Sequence, residues 1–280
     1  MTKRLAILAQ FDPRNGLPAH VRLHLEGLRP VVSRLVLVSN SPLDTASREI
    51  AEQLCDRVLV RENTGWDFAA WRDVLLTETL GEFDRIILTN SSVVGPLYPL
   101  APIFEAMDAR ASDIWGMVMS RNKGLHLQSY FLSASAKVFL SEAWRKFWAS
   151  VKDFGDKRQV IRRYEVGFSR AMIEAGFALS AMIKPLRFPE NLRIVNIERL
   201  KGRLKVPFSV NHINRTVEFH EDLIRRGMPY LKASLINGKD TYRFVGMNRI
   251  KAIAGVSFPF DRLPRSAAPG VYNKSENGKV

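Results

Sequence analysis

Apolar and polar positions alternate along the first hundred residues in a repeating strand–helix order. RLAILAQF at Arg4–Phe11 reads as a strand, and the turn-rich Asp12–Gly16 follows it directly. His20–Leu28 has helical spacing, Ser33–Ser39 is a second strand ending in Asn40-Ser41-Pro42, and Leu43–Leu54 is a helix with Ile50 and Leu54 inward. Arg57–Arg61 is a third strand, and Asn63-Thr64-Gly65 is turn chemistry. Asp67 is the expected N-cap of the next helix, whose apolar face is Phe68, Trp71, Leu75 and Leu76 and which Gly81 closes. Arg85–Thr89 is a fourth strand, ending in Asn90-Ser91-Ser92 before Gly95-Pro96 breaks the chain.

Four strands in alternation with helices predict a mostly parallel sheet flanked by helices, a Rossmann-like layout. In such sheets ligands bind beyond the carboxyl ends of the strands. The polar clusters at Asp12, Asn40, Asn63–Asp67 and Asn90–Ser92 all fall there.

The second half is less regular. Pro102–Ala109 reads as a short helix, Ile114–Ser120 and Leu127–Leu132 as strands, and Ser135–Val151 as one amphipathic helix whose Phe139, Leu140, Trp144, Phe147 and Trp148 belong in the core. Arg158–Ala175 is a further helix stopped by Gly176, and Phe177–Ile183 is another strand. Beyond Lys184 the pattern changes to prolines and basic residues, with short helices expected at Arg215–Arg226 and Met228–Ile236. The boundaries expected are 1–183 for the nucleotide-binding core, 184–263 for a helical basic extension packed on it, and 264–280 for a disordered tail.

The chain has 280 residues and a formal net charge of +14, from 42 Lys and Arg against 28 Asp and Glu. That charge points to a negatively charged partner, whether nucleic acid, an anionic membrane surface or a phosphorylated substrate. Cys55 stands alone, which excludes a disulfide framework, suits the cytoplasm and reads as a small buried hydrophobe. The amino terminus has too short an apolar run for a signal peptide, and no stretch is long enough to span a bilayer.

No GxGxxG or Walker sequence is present, which argues against a dinucleotide or a P-loop. His126, His212 and His220 have no HxH or HExxH spacing, so no zinc site is expected, and there is no GxSxG elbow. Glu165 sits in RRYEVGFSR beside Arg162, Arg163 and Arg170, where an ordinary surface pairing is the plainer reading.

Taken together, NTGWDFAAW, IILTNSSVVGPL, HLQSYFL, RYEVGFSRAMIEAGF and NHINRTVEFHEDLIRRGMPYLKASLI resemble the rhamnan synthesis protein F family, over most of the chain to about Arg243. The resemblance implies a GT-A-like α/β fold and an inverting glycosyltransferase, a rhamnosyltransferase of surface polysaccharide assembly. It implies a nucleotide-sugar donor, dTDP-rhamnose, and a glycan or lipid-linked acceptor. Asn63, Gly65 and Asp67 match the family's Asn-x-Gly-x-Asp segment. Asn90, Ser91 and Ser92 fall where GT-A enzymes carry Asp-x-Asp, with Ser91 in the place of the acid. With Asp12 and Asn40 these form the expected donor site. Glu165 matches the general base, and His126, Gln128 and Ser129 the acceptor or sugar contacts.

An Asp-x-Asp enzyme offsets the leaving diphosphate with a divalent metal. Serine is a poor anchor for a hard cation, so dependence on Mg or Mn is expected to be weak or absent. Arg61, Arg72, Arg121 and Lys123 are candidates to replace the ion. A catalytically inactive nucleotide-sugar-binding relative is the alternative that Ser91 raises. A nucleic-acid binder is the alternative that the charge raises, but no recognised motif accompanies it. Lys184, Arg187, Arg193, Arg199, Lys201, Arg203 and Lys205 suggest a peripheral contact with anionic lipid at the inner face of the plasma membrane.

Overall fold

The computed structural model describes residues 2–110, 112–121, 124–154, 156–184, 215–236 and 259. The chain runs β1 (Arg4–Gln10), α1 (Ala19–Leu28), β2 (Arg34–Ser39), α2 (Thr45–Leu54), β3 (Arg57–Val60), α3 (Trp66–Leu75) and β4 (Arg85–Asn90). It continues with β5 (Val93–Val94), α4 (Ala101–Asp108), β6 (Ile114–Ser120), β7 (His126–Leu127), β8 (Phe131–Ser135), α5 (Ala136–Phe139) and α6 (Glu142–Ala149). Next come α7 (Lys157–Val160), a π-helical turn at Ile161–Glu165, α8 (Val166–Glu174), β9 (Leu179–Ile183) and, later, β10 (Leu231–Lys232).

The strands β3-β2-β1-β4-β8-β6-β7 form one sheet, with β9 paired to β6, and β10 pairs with β5 in a separate ribbon. β3, β2, β1 and β4 are mutually parallel, β8 is antiparallel between β4 and β6, and β9 is parallel to β6. This is the expected α/β class, a mostly parallel sheet flanked by helices.

Period-2 side chains feed two cores, one on each face. Leu5, Ile7 and Ala9 of β1 and Ile86 and Leu88 of β4 join Phe68, Trp71 and Trp148 on one face, while Ala6, Leu8 and Ile87 join Val21, Leu25 and Phe104 on the other. The expected aromatics Phe139, Trp144, Phe147 and Trp148 are core, although Leu140 is exposed. Burying a side chain such as Phe68 stabilises the fold by roughly 2–3 kcal/mol.

Several expectations are corrected. Gly65, not Asp67, is the N-cap of α3, and Leu76 falls outside the helix and is 62% exposed. The helix expected over Ser135–Val151 is interrupted because Ser141 caps α6 through its hydroxyl, which accepts from Trp144 N–H at 3.2 Å. The strand expected over Leu127–Leu132 is divided between β7 and β8. Met228–Ile236 is not a helix: β10 and a 3-10 turn at Ala233–Leu235 occupy it. Most of the basic extension and the tail lie outside the described residues, Arg187, Arg193, Arg199, Lys201, Arg203 and Lys205 among them. No helix among the described residues is long and apolar enough to cross a membrane.

Candidate active site

The carboxyl ends of β1, β2 and β3 open onto a cleft of about 700 Å³ whose lining includes Phe11, Asn15, Asn40, Arg61 and Asn63. Phe11 is 45% exposed there. Asp12 is buried, and its Oδ1 accepts from Arg14 N–H at 3.2 Å, the local turn contact typical of Asp after a strand. Asn40 joins two loops: its Oδ1 accepts from Arg61 Nη1 at 3.0 Å and its Nδ2 donates to the Trp66 carbonyl at 3.4 Å.

The turn into α3 explains why glycine stands at position 65. Gly65 has φ 66°, and a Cβ there would lie 2.5 Å from Ala69 Cβ and 2.6 Å from Asp153 Oδ1. Trp66 follows with φ 59°, an uncommon conformation for so large a residue. The turn sets Asp67 in the first turn of α3, where a carboxylate suits the helix dipole. Asn90 Nδ2 donates to Asp67 Oδ2 at 2.8 Å, so the two polar clusters singled out in the sequence meet. The Trp71 indole, donating to the Thr89 carbonyl at 3.0 Å, fixes α3 against β4 one residue earlier.

Beyond Asn90 the chain folds over its own amide. Asn90 Oδ1 accepts from Ser92 N–H at 3.0 Å and from Ser92 Oγ at 2.6 Å. Ser91 is held by its backbone, its N–H on the Ala9 carbonyl and its own carbonyl accepting from His20 Nε2 at 3.1 Å. Burial holds His20 below the usual imidazole range, against the contrary pull of the Ser91 hydrogen bond and Asp12. Beneath the loop His24 is fully buried and is pushed down to about 3 by burial and then by His20, so it is neutral.

Glu165 ends the π-helical turn that leads into α8. Its Oε2 accepts from Ser129 N–H at 3.0 Å and Ser129 Oγ at 2.5 Å. Its Oε1 lies 3.8 Å from His126 Nε2, and the side chain is 21% exposed. His126 Nδ1–H donates to the Gly124 carbonyl at 2.9 Å, which sets that ring's orientation. Ser129, anticipated as an acceptor contact, therefore orients Glu165, while the buried Gln128 donates its N–H to the Val118 carbonyl at 3.0 Å. The surface pairing with neighbouring arginines is not what holds Glu165: Arg170 pairs with Glu174 and Arg163 lies over the Phe154 ring.

Two candidate cations are already paired with acids, although Arg61 also lines the cleft. Arg61 binds Asp73 at 2.8 Å, and Arg72 binds both Asp73 and Asp153. Lys123 lies outside the described residues. Sequence reasoning missed Lys232, whose Nζ donates to Ser92 Oγ at 3.2 Å and stands 4.5 Å from the Tyr130 ring centroid. Its strand pairing was hidden by an apolar run that also reads as a helix. A continuous set of contacts thus links Glu165, Ser129, Tyr130, Lys232, Ser92, Asn90 and Asp67. Among the described residues no group of three or more His, Cys, Asp or Glu could hold a metal ion.

The fold and this edge define an α/β protein with a polar site at the carboxyl ends of a mostly parallel sheet. Residues 35–198 match the family described as Rhamnan synthesis protein F, and the chain belongs to that family. It is similar to the "Uncharacterized protein y4gN" of Sinorhizobium fredii, at 29% identity over 69% of this chain and 52% of the relative. It is also similar to "Virulence protein VirA" of Vibrio anguillarum, at 24% identity over 67% of this chain and 64% of the relative. The chain therefore spans less than two thirds of the length of these curated relatives. Among solved structures it is similar to glucosyl-3-phosphoglycerate synthase from Mycobacterium tuberculosis, in complex with Mg2+ and uridine diphosphate. That likeness has 16% identity and a TM-score of 0.44, over 74% of this chain and 81% of the other.

Proposed function

We propose that this chain is an inverting glycosyltransferase of the GT-A kind, which moves a rhamnosyl group from dTDP-rhamnose to a growing surface polysaccharide or lipid-linked glycan. The family's rhamnan supports the sugar. The observation that carries the reaction is the Glu165 carboxylate, partly exposed, oriented by two Ser129 donors and joined through Tyr130, Lys232 and Ser92 to Asn90 and Asp67. A lipid-linked acceptor would bring the protein to the inner face of the plasma membrane.

In this reading the cleft takes the nucleotide, with Phe11 offering a face on which a base can stack. Asn40, Asn63 and the Gly65 turn line the approach to the diphosphate. The acceptor hydroxyl gives its proton to Glu165 as its oxygen forms a bond to the anomeric carbon. The bond from that carbon to the diphosphate oxygen breaks on the opposite side, and the electron pair leaves with the nucleoside diphosphate. Since Oε2 is taken by Ser129, Oε1 is the atom that receives the proton.

Glu165→Gln tests this. The amide keeps an oxygen for the Ser129 donors, so melting temperature and donor affinity should stay close to wild type. Transfer from dTDP-rhamnose should fall roughly 10²–10⁴-fold. Near-wild-type turnover would remove Glu165 from the chemistry. The position of Ser91 favours a second reading, a nucleotide-sugar binder without turnover. A wild type that binds donor yet consumes none, with or without Mg or Mn, would establish that instead.

A further inference from the structure

Departure of the diphosphate in the proposed reaction places negative charge beside the loop that ends β4, and something there must offset it. The loop's own side chains suit a metal poorly. Asp67 is the one carboxylate among Asp67, Asn90, Ser91 and Ser92, and its Oδ2 already accepts from Asn90. Magnesium and manganese favour carboxylate oxygens, so this donor set is thin for either ion. Arg72 is turned to Asp73 and Asp153, and Arg61, although it lines the cleft and donates to Asn40, is paired with Asp73 at 2.8 Å.

A cation does reach the loop, from a distant part of the chain. β10 pairs antiparallel with β5, with Lys232 opposite Val93 and Leu231 opposite Val94. Ala233 N–H donates to the Ser92 carbonyl at 2.9 Å, and Leu231 and Ala233 are buried on either side of Lys232. The Lys232 backbone is thereby fixed to the loop. Its Nζ is directed by the Ser92 hydroxyl, 3.2 Å away, and by the Tyr130 ring beneath it. An ammonium in this place repels a divalent ion and attracts a phosphate. Residue 232 lies beyond the 35–198 segment matched to the family.

We infer that Lys232 is the cation that holds the diphosphate of the nucleotide-sugar donor and takes up the charge of the leaving group, in the position where other enzymes of this fold use a metal ion. The inference rests on the glycosyl-transfer reading above. It adds that nucleoside diphosphates bind without a divalent ion and that their affinity depends on Lys232.

Calorimetry on the full chain tests it, with dTDP, UDP and GDP as probes, thymidine as a probe lacking phosphate, and either EDTA or Mg2+ present. Wild type should bind a diphosphate equally well in both conditions. Lys232→Met should weaken that binding roughly 10- to 100-fold, the worth of a charged hydrogen bond, while leaving thymidine binding and melting temperature unchanged. Lys232→Arg should restore most of the affinity, which separates lost charge from a disturbed β10. Diphosphate binding that needs Mg2+, or that survives Lys232→Met, overturns the role of Lys232 and leaves the glycosyltransferase reading standing. A wild type that binds none of the diphosphates in either condition overturns both.

Discussion

The two edges of the parallel sheet treat charge in opposite ways. At the amino edge each of the four parallel strands begins with arginine: Arg4, Arg34, Arg57 and Arg85. All four are matched by acids: Arg4 and Arg85 share Asp108 at 2.7 and 2.8 Å, and Arg34 and Arg57 share Glu78 at 3.2 and 2.6 Å. At the carboxyl edge Asp12 meets the exposed Arg14 at 3.5 Å, but the other two site acids meet neutral groups, Asn90 on Asp67 and Ser129 on Glu165. The first arrangement is closed, because its charges answer one another and brace the ends of the strands. The second leaves the Glu165 carboxylate partly exposed and brings Lys232 to the same surface, as a site for a charged substrate requires. The contrast also bears on the net charge of +14, since arginines at the amino edge serve the fold and say little about a partner.

The largest effect on this contrast should come from Asp108→Asn. The change keeps the side chain's shape but leaves Arg4 and Arg85, 14% and 9% exposed, without their shared anion. Removing one partner of a buried ion pair costs about 3–5 kcal/mol. Thermal unfolding should move down by roughly 10 °C, with turnover per folded molecule unchanged. Lost turnover at retained stability would mean that the amino edge also serves the site.

Gly65→Ala probes the carboxyl edge and should cost somewhat less. Its φ of 66° is unfavourable for alanine, and the new Cβ would lie 2.5 Å from Ala69 Cβ. Together these should remove about 2 kcal/mol of stability. They should also weaken nucleotide binding, because the same turn presents the Trp66 carbonyl to Asn40. Gly81→Ala is the matched control: nothing lies within 4 Å of its added Cβ, so stability should stay within about 0.5 kcal/mol of wild type. Equal effects at the two glycines would mean that the Gly65 turn has no special part in the fold.

The parallel half of the fold was legible because β1, β2 and β4 are buried almost throughout and its helices are punctuated by turn residues. The positions of Asp12, Asn40 and Asn90 at or just after strand ends could be read for the same reason, and Asn63 and Asp67 belong to the turn and helix start that follow β3. The cap of α3 was misread because Asp67 has the composition of an N-cap, whereas the left-handed backbone at Gly65 and Trp66 is a tertiary feature. Lys232 was illegible because β10 exists only through its pairing with β5, more than a hundred residues away. The pairing of Ser129 with Glu165 is likewise a contact between distant segments that no local pattern encodes.

The smallest effect should come from Asp56→Asn, the exposed counterpart of Asp108 at the same edge. Asp56 Oδ2 accepts from Arg29 Nη1 at 2.6 Å and from Leu35 N–H at 2.7 Å, but the two charged side chains are 36% and 44% exposed. Burial pushes the Asp56 carboxyl upward, yet the hydrogen bonds from Arg29 and Leu35, with the charges of Arg29 and Arg34, outweigh it and hold the group below its ordinary 3.8. A carboxyl depressed in the folded state stabilises the fold above the unfolded value and loses that stabilisation as pH falls through the folded one. Wild type should therefore exceed Asp56→Asn in stability at neutral pH, and the gap should close below about pH 3.8. Water screens so exposed a pair, which keeps the gap under ~1 kcal/mol, and added salt should shrink it further. Urea midpoints at neutral and acid pH, in low and high salt, measure this. A cost matching that of Asp108→Asn, or a gap that widens in acid, would show that burial is not what ranks the ion pairs of the amino edge.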